Sequence, residues 1–255
     1  VLAQSYGNIE VIVGDDGSRD DTLSIAQEYA DRHGVRLHRN AANRGAGETS
    51  GALVRMARGE FVAVYHSDDV YDRTIVAESV AALQSDQRIG MVGTMANIMD
   101  ETGIRTGEFR LHAALRPTAG SGLTFDDFLH GVLLNGGNDI VIVTPSVMAR
   151  RSVYDELGVF DSARYGDIYD YEMWFRIASR YRVAVIDRPL MSYRTHKTQI
   201  SERTRKNTEV QKIIFILREY RRFITDSGIL KKCDRLLNRW IFRTARRQNY
   251  RREFG

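Results

Sequence analysis

The feature of this sequence that most constrains its fold is the alternation of short apolar runs with helical patterns over the first hundred residues. The runs have the length and the β-branched content of buried strands. They are residues 9–13, 61–65 and 89–99, and residues 35–39 are a further short strand candidate. Between them, apolar residues recur at the spacing of one helix face, as Ile75, Val80 and Leu83 do. Strands and helices that alternate in this way build a Rossmann-like, mostly parallel sheet with helices on both faces. The sequence therefore predicts an α/β, doubly wound fold.

The first helix of this pattern has signals for both of its ends. Ser18, Asp20 and Asp21 are residue types that cap helix N-termini, and glycine, here Gly34, commonly follows a helix C-terminus. The pattern predicts a helix that starts after these caps and continues to about His33.

The second half of the chain is less regular. It has strand candidates at 146–149 and 183–186, with a helix from Asp170 to about Arg180 between them. Apolar residues at helical spacing continue through the last fifty residues. The sequence has three prolines and no low-complexity linker, so we expect one continuous domain over residues 1–201 and a helical extension over residues 202–255.

The net charge of +4 conceals a division of the chain into an acidic and a basic part. Residues 202–255 hold 16 Lys and Arg against 6 Asp and Glu, whereas residues 1–201 hold 21 against 27. The basic extension fits either a solvated helix surface or a surface for an anionic partner such as a lipid bilayer. No zinc, RNA-binding or helix-turn-helix motif accompanies the charge, so we do not expect a nucleic acid partner.

Cysteine usage and hydropathy restrict the cellular setting. The single cysteine, Cys233, excludes an internal disulfide framework and a cysteine-rich zinc site, and it fits a reducing compartment. No apolar run reaches the roughly 18 residues that a membrane-spanning helix needs. The sequence shows no secretory signal peptide and begins at Val1 rather than Met, so we expect an upstream segment to be missing.

Two acidic clusters follow strands of the predicted sheet. Asp15 and Asp16 follow the first apolar run, and Asp68 and Asp69 follow the third. Ligands of open α/β sheets bind at the carboxyl ends of the strands. Adjacent carboxylates repel each other unless a cation neutralises them, and Mg²⁺ and Mn²⁺ prefer carboxylate oxygens together with substrate phosphates. The clusters therefore favour a cation and a phosphate-bearing substrate. The alternative is that these acids only form turns and helix caps.

The clusters belong to an ordered set of motifs that resembles family 2 glycosyltransferases of the GT-A fold. The set covers roughly residues 1–201, and its strength lies in the order and spacing of motifs that are weak singly. In the first half it comprises IEVIVGDDGS at 9–18, NRG at 43–45, GEFV at 59–62 and SDD at 67–69. In the second half it comprises SVMARR at 146–151, GVFD at 158–161, DYEMWFR at 170–176, YRTH at 193–196 and Ser201. The resemblance implies a nucleotide-sugar half over about 1–100 and an acceptor half over about 101–201.

The resemblance implies roles for the acids of the first half. Asp16, with Asp15 beside it, would accept hydrogen bonds from the nucleotide base and ribose. Asp69 would bind Mg²⁺ or Mn²⁺, and Asp68 would contact the ribose or a water on the metal. The cation would offset charge on the leaving nucleoside diphosphate as the sugar–phosphate bond breaks.

The resemblance implies further roles in the second half. Asp170 would be the general base that takes a proton from the acceptor hydroxyl as it attacks the anomeric carbon from the opposite face, which gives inversion. His196 would bind the metal or donate to the diphosphate, and Arg151 would contact substrate. Simpler interpretations stay open, with Asp170 as a helix cap and Trp174 as part of the core.

The chain departs from the family pattern at four places. The first strand and most of the first helix of the family are absent, so we expect an N-terminally truncated sequence. The family commonly has an acid where His66 stands, Arg-Asn where Ser50 and Gly51 stand, and Glu where Tyr169 stands. None of these departures removes the acids to which the resemblance assigns roles.

These observations predict an inverting, metal-dependent enzyme. It would move a sugar from a nucleoside diphosphate sugar, UDP-sugars foremost, to a hydroxyl of a sugar or lipid-linked acceptor in polysaccharide or glycolipid synthesis. We expect a cytoplasmic protein, with peripheral attachment to the inner face of the plasma membrane through the extension. The alternative is a non-catalytic homologue that binds nucleotide sugar. A phospho-receiver domain is disfavoured, because it would end near residue 120 and would not need the second half.

Overall fold

The computed structural model describes residues 1–134, 139–196 and 209–254. Its strands are β1 (Ile12–Asp15), β2 (Arg36–Arg39), β3 (Phe61–Ala63), β4 (Val70–Tyr71), β5 (Ile89–Met99), β6 (Arg105–Leu111), β7 (Asp139–Ile140), β8 (Met148–Arg150) and β9 (Arg182–Arg194). Its α-helices are α1 (Thr22–His33), α2 (Ala46–Met56), α3 (Ile75–Ser85), α4 (Arg116–Ala119), α5 (Phe125–Leu134), α6 (Arg151–Leu157), α7 (Ser162–Tyr165), α8 (Tyr169–Ala178), α9 (Glu209–Tyr220) and α10 (Ser227–Phe254).

The strands form a small sheet and a larger one. β1 and β2 pair in parallel, with Ile12 opposite Arg36. In the larger sheet the order is β3-β8-β5-β6-β7, and β9 pairs with β5 and with β4. β5 and β9, the two longest strands, run parallel from Ile89 opposite Arg182 onward, and they form the centre of the larger sheet.

Strand direction is more mixed than the sequence predicts. β8 is antiparallel to both β3 and β5, β6 is antiparallel to β5, and β4 is antiparallel to β9. Parallel pairing joins β1 to β2, β5 to β9 and β6 to β7. Apolar runs identify strands, but direction depends on how later segments return to the sheet, and the alternation of runs does not encode that.

Four predicted strands, those at 9–13, 35–39, 61–65 and 146–149, are shorter in the structure, and the two that lead to the acidic clusters are limited by their partners. β1 begins at Ile12 rather than Ile9, where its pairing with the four-residue β2 starts. β3 ends at Ala63 rather than Tyr65, because the three residues of β8 supply its pairing. After the last paired residue of each strand, Asp15 in β1 and Ala63 in β3, the chain leaves the sheet and continues toward the remaining acidic residues.

The predicted helix boundaries agree closely with the structure. The N–H of Thr22, the first residue of α1, donates to Asp20 Oδ1 over 3.1 Å. Gly34 ends this helix in the left-handed region, with φ of 67°, where a residue without Cβ is not strained. The helix expected from Asp170 corresponds to α8, which begins one residue earlier at Tyr169.

Helices cover both faces of the larger sheet, as the sequence predicts. β5 sends Met91 and Met95 to one hydrophobic cluster and Val92 and Ala96 to another, because successive side chains of a strand point to opposite faces. α3 covers the second cluster, whereas α2, α5, α6 and α8 contribute to the first.

The predicted C-terminal extension is helical, and it packs on the rest of the chain. Ile216, Leu217 and Tyr220 of α9 and Cys233 and Leu237 of α10 are buried in the first cluster. The boundary predicted at residue 201 lies outside the described residues. Among the described helices, none combines the length and the apolarity needed to cross a bilayer.

Candidate functional site

An open cleft lies between the small sheet and the larger one; many apolar side chains line it, and the polar residues of the site lie at the carboxyl ends of its strands. β1 lines one side and β3 the other, and within the described residues each pairs with a strand on one edge only. Both strands lead into the cleft at their carboxyl ends. The cleft brings together five of the residues singled out in the sequence, Asp16, Asp68, Asp69, Asp170 and His196.

Asp16 follows β1, and its carboxylate holds the loop before α2. Oδ1 accepts hydrogen bonds from Arg44 N over 2.9 Å and from Asn40 Nδ2 over 2.8 Å, and Oδ2 accepts from Gly45 N over 2.9 Å. Partial burial opposes ionisation, but these hydrogen bonds prevail and lower the pKa of Asp16. A carboxylate has about four acceptor positions, so Asp16 keeps limited capacity for a ligand.

Asp15 lies behind Asp16 and does not line the cleft. It is 2% exposed, its Oδ1 accepts from Ser18 N over 3.1 Å, and its Oδ2 lies 3.7 Å from Arg39 Nε. These contacts are those of the last residue of β1, whose side chain supports the turn that follows. Its contact with a nucleotide stays a prediction.

His66, Asp68 and Asp69 form a second cluster in the loop between β3 and β4. One ligand atom from each residue lies within 4.8 Å of the others. Because β4 pairs with β9, the end of β9 reaches the same loop. There the backbone N of Arg194 donates to Asp69 Oδ1 over 2.9 Å, and His196 Nε2 lies 3.3 Å from Asp68 Oδ2.

Asp69 has one oxygen engaged and one without a donor. Oδ1 accepts from Arg194 N, whereas Oδ2 is buried and accepts no hydrogen bond within the described residues. Burial, with a contribution from the charge of Asp68, raises the pKa of Asp69 to about 6 against the opposing effect of the Arg194 N–H. A buried oxygen without a partner is costly unless a proton or cation satisfies it. The cluster therefore fits a divalent cation, which His66, Asp68 and Asp69 would hold.

Two stacked tyrosines fix the loop that carries His66. The rings of Tyr65 and Tyr71 lie 4.1 Å apart, and the backbone N of His66 donates to Tyr71 Oη over 2.8 Å. Although His66 is exposed to the cleft, the protein around it partly desolvates the ring and lowers its pKa, and the charge of Asp68 opposes this shift. A lower pKa favours the neutral imidazole, which is the form that binds metals.

Asp170 lies in the first turn of α8 and lines the cleft. Its Oδ1 accepts from the N–H of Tyr171 over 2.7 Å. Ile168 occupies the N-cap position of the helix and its side chain makes no capping hydrogen bond, whereas Asp170 accepts from an N–H of the first turn, so the helix-cap interpretation of Asp170 stays open.

A close approach at Gly47 brings the start of α8 to the start of α2. A Cβ on Gly47 would lie 2.6 Å from Ser162 Cβ and 2.8 Å from Tyr169 Cδ1. Only a residue without a side chain permits this approach. Because α2 follows the loop that Asp16 holds, the contact brings Asp170 to the same cleft as Asp16.

The inner face of α8 contains a buried acid that the sequence analysis did not assign. Glu172 is 2% exposed, accepts from Tyr220 Oη over 2.6 Å and pairs with Arg176 one turn later. Arg176 also donates to the carbonyl oxygens of Leu157 and Val159. The hydrogen bond from Tyr220 to Glu172 attaches α9 to the helix that carries Asp170, and Arg176 balances the charge of the buried acid.

Two further side chains from the sequence analysis lie outside the cleft lining. Arg151 begins α6 beside the first residue of β3, the end away from the acidic loop, where its Nε donates to the carbonyl of Gly59 and its Nη1 to Asp155. Its substrate contact stays a prediction that this placement does not support. Trp174 is 3% exposed and donates from Nε1 to Thr144 Oγ1 over 3.2 Å, which confirms its place in the core.

Sequence reasoning missed two residues of the site and left a third without a role. Asn40 follows the carboxyl end of β2, so the strand-end rule that selected the acids could have found it. Tyr71 gives no signal in the sequence. His66 entered only as a departure from the family pattern, and the structure places it within the cluster. Ser201, the last member of the motif set, lies outside the described residues.

Comparison with known sequences gives one family. The model of the family described as "Glycosyl transferase family 2" matches residues 1–158. EpsE of Bacillus subtilis (strain 168), which is described as a glycosyltransferase, is 28% identical over 179 residues, or 69% of this chain and 58% of EpsE. Three curated relatives matched over most of this chain are longer, and the chain spans about a third to two thirds of their length.

Two solved structures share the fold. S. aureus TarS 1–349 in complex with UDP-GlcNAc has a TM-score of 0.66 at 15% identity, over 94% of this chain and 65% of TarS. Mannosyltransferase PcManGT from Pyrobaculum calidifontis, in complex with GDP-Man and Mn²⁺, has a TM-score of 0.61 at 18% identity, over 92% of this chain and 62% of PcManGT. Identities this low show the fold alone, and the expected GT-A fold is confirmed. Because the family model covers more than half of the sequence, the chain belongs to glycosyl transferase family 2.

Proposed function

We propose that this chain transfers a sugar from a nucleoside diphosphate donor to a hydroxyl acceptor, with inversion at the anomeric carbon. The observation that supports the proposal most is that Asp16, Asp68, Asp69 and Asp170 line the same cleft. The chain that carries them belongs to glycosyl transferase family 2. TarS, which shares the fold, is solved with UDP-GlcNAc, and this supports a UDP-sugar as the donor.

The nucleoside of the donor would lie toward Asp16 and its diphosphate toward the His66–Asp69 loop. Asp16 is held in place by its loop, and its remaining acceptor capacity suits an N–H or O–H group of a base or ribose. Asp68 would contact the ribose or a metal-bound water, and His196 beside it would donate to the diphosphate or share in metal binding.

Asp69 would hold the divalent cation, Mg²⁺ or Mn²⁺, through its buried Oδ2. When bound, a cation of this kind supplies positive charge that offsets the charge of the leaving diphosphate. PcManGT, the second structure that shares the fold, is in complex with Mn²⁺, and this supports the proposal.

Asp170 would act as the general base from the first turn of α8. It would accept the proton of the acceptor hydroxyl while the hydroxyl oxygen bonds to the anomeric carbon. The bond from that carbon to the diphosphate oxygen breaks, and its electron pair leaves on the diphosphate. Attack from the face opposite the leaving group inverts the configuration of the sugar.

The proposal is tested by pairing donor binding with turnover in Asp170→Asn. A screen of UDP-, GDP- and dTDP-sugars for thermal stabilisation, with and without Mn²⁺, identifies the donor. Asp170→Asn keeps the shape of the side chain and removes the base, so we expect unchanged donor affinity and turnover reduced by about 10²-fold or more. Asp167→Asn is the matched control, because Asp167 also lines the cleft and lies within one helical turn along the chain.

Two outcomes would contradict this assignment. Near-normal turnover in Asp170→Asn, with a loss in Asp167→Asn, would move the base to Asp167. Donor binding by the unaltered chain without turnover on any acceptor would favour the alternative of a non-catalytic nucleotide-sugar-binding protein.

The proposed acceptor is a sugar or lipid-linked hydroxyl in polysaccharide or glycolipid synthesis. The proposed setting is the inner face of the plasma membrane, and one face of α10 supports it. Lys231, Arg235, Arg239 and Phe242 are all exposed and follow one another at intervals of four, four and three residues. Basic side chains around an exposed aromatic ring suit an anionic bilayer surface.

A further inference from the structure

We infer that His66 is a direct nitrogen ligand of the divalent cation in this cleft and shifts the metal preference of the site from Mg²⁺ toward Mn²⁺ and Co²⁺. The inference rests on the proposed function, which places the cation at Asp69, and it adds direct ligation by His66 and the metal preference that follows from an imidazole ligand.

His66 lies close enough to both carboxylates to share one ion with them. A ring nitrogen of His66 and carboxylate oxygens of Asp68 and Asp69 lie within 4.8 Å of one another, a separation that one ion can span. The backbone of His66 is fixed by the hydrogen bond to Tyr71, and that tyrosine is stacked on Tyr65. The imidazole is therefore presented from a backbone that is held in place.

The Oδ2 atom of Asp69 has no hydrogen-bond donor among the described residues. It is buried, while Oδ1 is occupied by the N–H of Arg194. Oδ1 of Asp69 is thus hydrogen-bonded within the protein, whereas Oδ2 is available to bind a cation. With His66 beside it, the donor set is mixed, with nitrogen and oxygen.

The chemistry of that donor set gives the metal preference. Mg²⁺ strongly prefers oxygen ligands in an octahedral arrangement, whereas imidazole suits the later first-row ions. Among divalent ions the affinity of nitrogen-containing sites rises from Mn²⁺ to Co²⁺. An imidazole in place of a carboxylate also removes one negative charge, which weakens binding of the hard Mg²⁺ ion most.

His196 is the competing nitrogen, and the structure separates it from His66. Its Nε2 lies 3.3 Å from Asp68 Oδ2, a contact that holds Asp68 in place. The group with mutual ligand distances within 4.8 Å contains His66 and not His196. His196→Asn makes the same chemical change at a neighbouring position and is the matched variant: loss of the nitrogen ligand there, and not in His66→Asn, would favour the metal-binding role proposed above for His196.

The experiment measures ligation directly and does not depend on activity. Pulsed electron paramagnetic resonance of bound Mn²⁺, with UDP and without it, detects coupling to a ligated nitrogen. We expect a ¹⁴N coupling that is lost in His66→Asn and kept in His196→Asn. Calorimetric titration of Mn²⁺, Co²⁺ and Mg²⁺ should show that His66→Asp lowers the ratio of Mn²⁺ to Mg²⁺ affinity by about tenfold or more.

The outcomes distinguish this inference from the proposed function. A ¹⁴N coupling that persists in His66→Asn, that is lost in His196→Asn, or that is absent while Mn²⁺ is bound overturns the role of His66. Absence of Mn²⁺ binding overturns it too. In these cases UDP binding in the calorimeter still supports a donor site, whereas failure to bind any nucleotide would contradict the proposed function. Circular dichroism checks the fold of each variant.

Discussion

At the scale of single residues, the buried oxygen of Asp69 links protonation to stability. The pKa of Asp69 is raised to about 6 from the ordinary value of 3.8, mainly because burial disfavours its charged form. Between about pH 4 and pH 6 the folded chain therefore holds a proton that the unfolded chain has lost. Where the folded state binds more protons, the free energy of unfolding falls as pH rises.

Asp69→Asn removes this titration and gives the corresponding prediction. In metal-free protein, we expect the free energy of unfolding of the unaltered chain to fall relative to that of Asp69→Asn as pH rises from about 4 to about 6. Urea denaturation with a chelator present measures both. Mn²⁺ added above pH 6 should stabilise the unaltered chain and not the variant. Parallel pH profiles for the two proteins would contradict the placement of Asp69.

Site residues could be predicted from the sequence where a local motif identifies them. They could not be predicted where their position depends on contacts with segments far away in the chain. Asp16, Asp69 and Asp170 lie in recognisable motifs next to strand or helix ends, and the cleft collects all three. The burial of Asp15 could not be predicted, because it depends on Arg39 and on the path of a loop. The contact of Tyr71 with His66 depends on the exit angle of a three-residue strand.

At the scale of elements, the buried Glu172 joins α8 to α9. Tyr220→Phe keeps the shape of the ring but removes the hydroxyl that donates to Glu172 over 2.6 Å. A hydrogen bond to a charged, buried acceptor contributes about 1.5–3 kcal/mol, so we expect the free energy of unfolding to fall by about 2 kcal/mol. Urea denaturation measures the change.

Tyr165→Phe is the matched control for this prediction. The Tyr165 hydroxyl donates to Glu219 over 2.7 Å, but the Glu219 side chain is 26% exposed and also pairs with Arg164. Water can replace the lost donor there, so the loss should be below about 1 kcal/mol. Equal losses in the two variants would show that the burial of Glu172 does not set the strength of the contact.

The elements themselves were largely predictable, and their arrangement was less so. Hydrophobic pattern located β5, and the glycine at residue 34 located the end of α1, because the first depends on the local side-chain pattern and the second on local backbone conformation. The hydrophobic pattern did not show that β8 lies antiparallel between β3 and β5, since this pairing joins segments far apart in the chain. The packing of α9 on α8 could not be predicted from the sequence either. Glu172 and Arg176 are four residues apart, a spacing that is also common for ion pairs on exposed helix surfaces.

At the scale of the whole molecule, the basic face of α10 predicts attachment to anionic bilayers. Flotation with vesicles of phosphatidylcholine and phosphatidylglycerol should recover the protein at low salt. Each basic residue near the surface contributes about 1 kcal/mol, and salt should weaken the attachment because it screens exposed charges. Phe242→Ala should reduce recovery, since Phe242 is 75% exposed at the C-terminal end of the described part of this face.

Ile104→Ala is the control for the loss of an exposed apolar side chain. Ile104 is 65% exposed in the turn before β6, away from α10 in the chain. Its replacement should leave flotation unchanged. If anionic vesicles recover no protein at low salt, the basic face serves a protein partner or only the solubility of the helix.

The docking of α9 and α10 has a consequence for which acceptors could be reached. Asp126 of α5 accepts hydrogen bonds from Thr225 N and Asp226 N in the turn between the two helices, and Arg221 pairs with Asp234 across that turn. A catalytic domain on a flexible linker samples a range of heights above a bilayer. Here a bilayer bound to α10 would hold the cleft at one distance and one tilt. The cleft would then lie at a fixed height above the lipid surface. Only acceptors whose free end reaches that height would enter it.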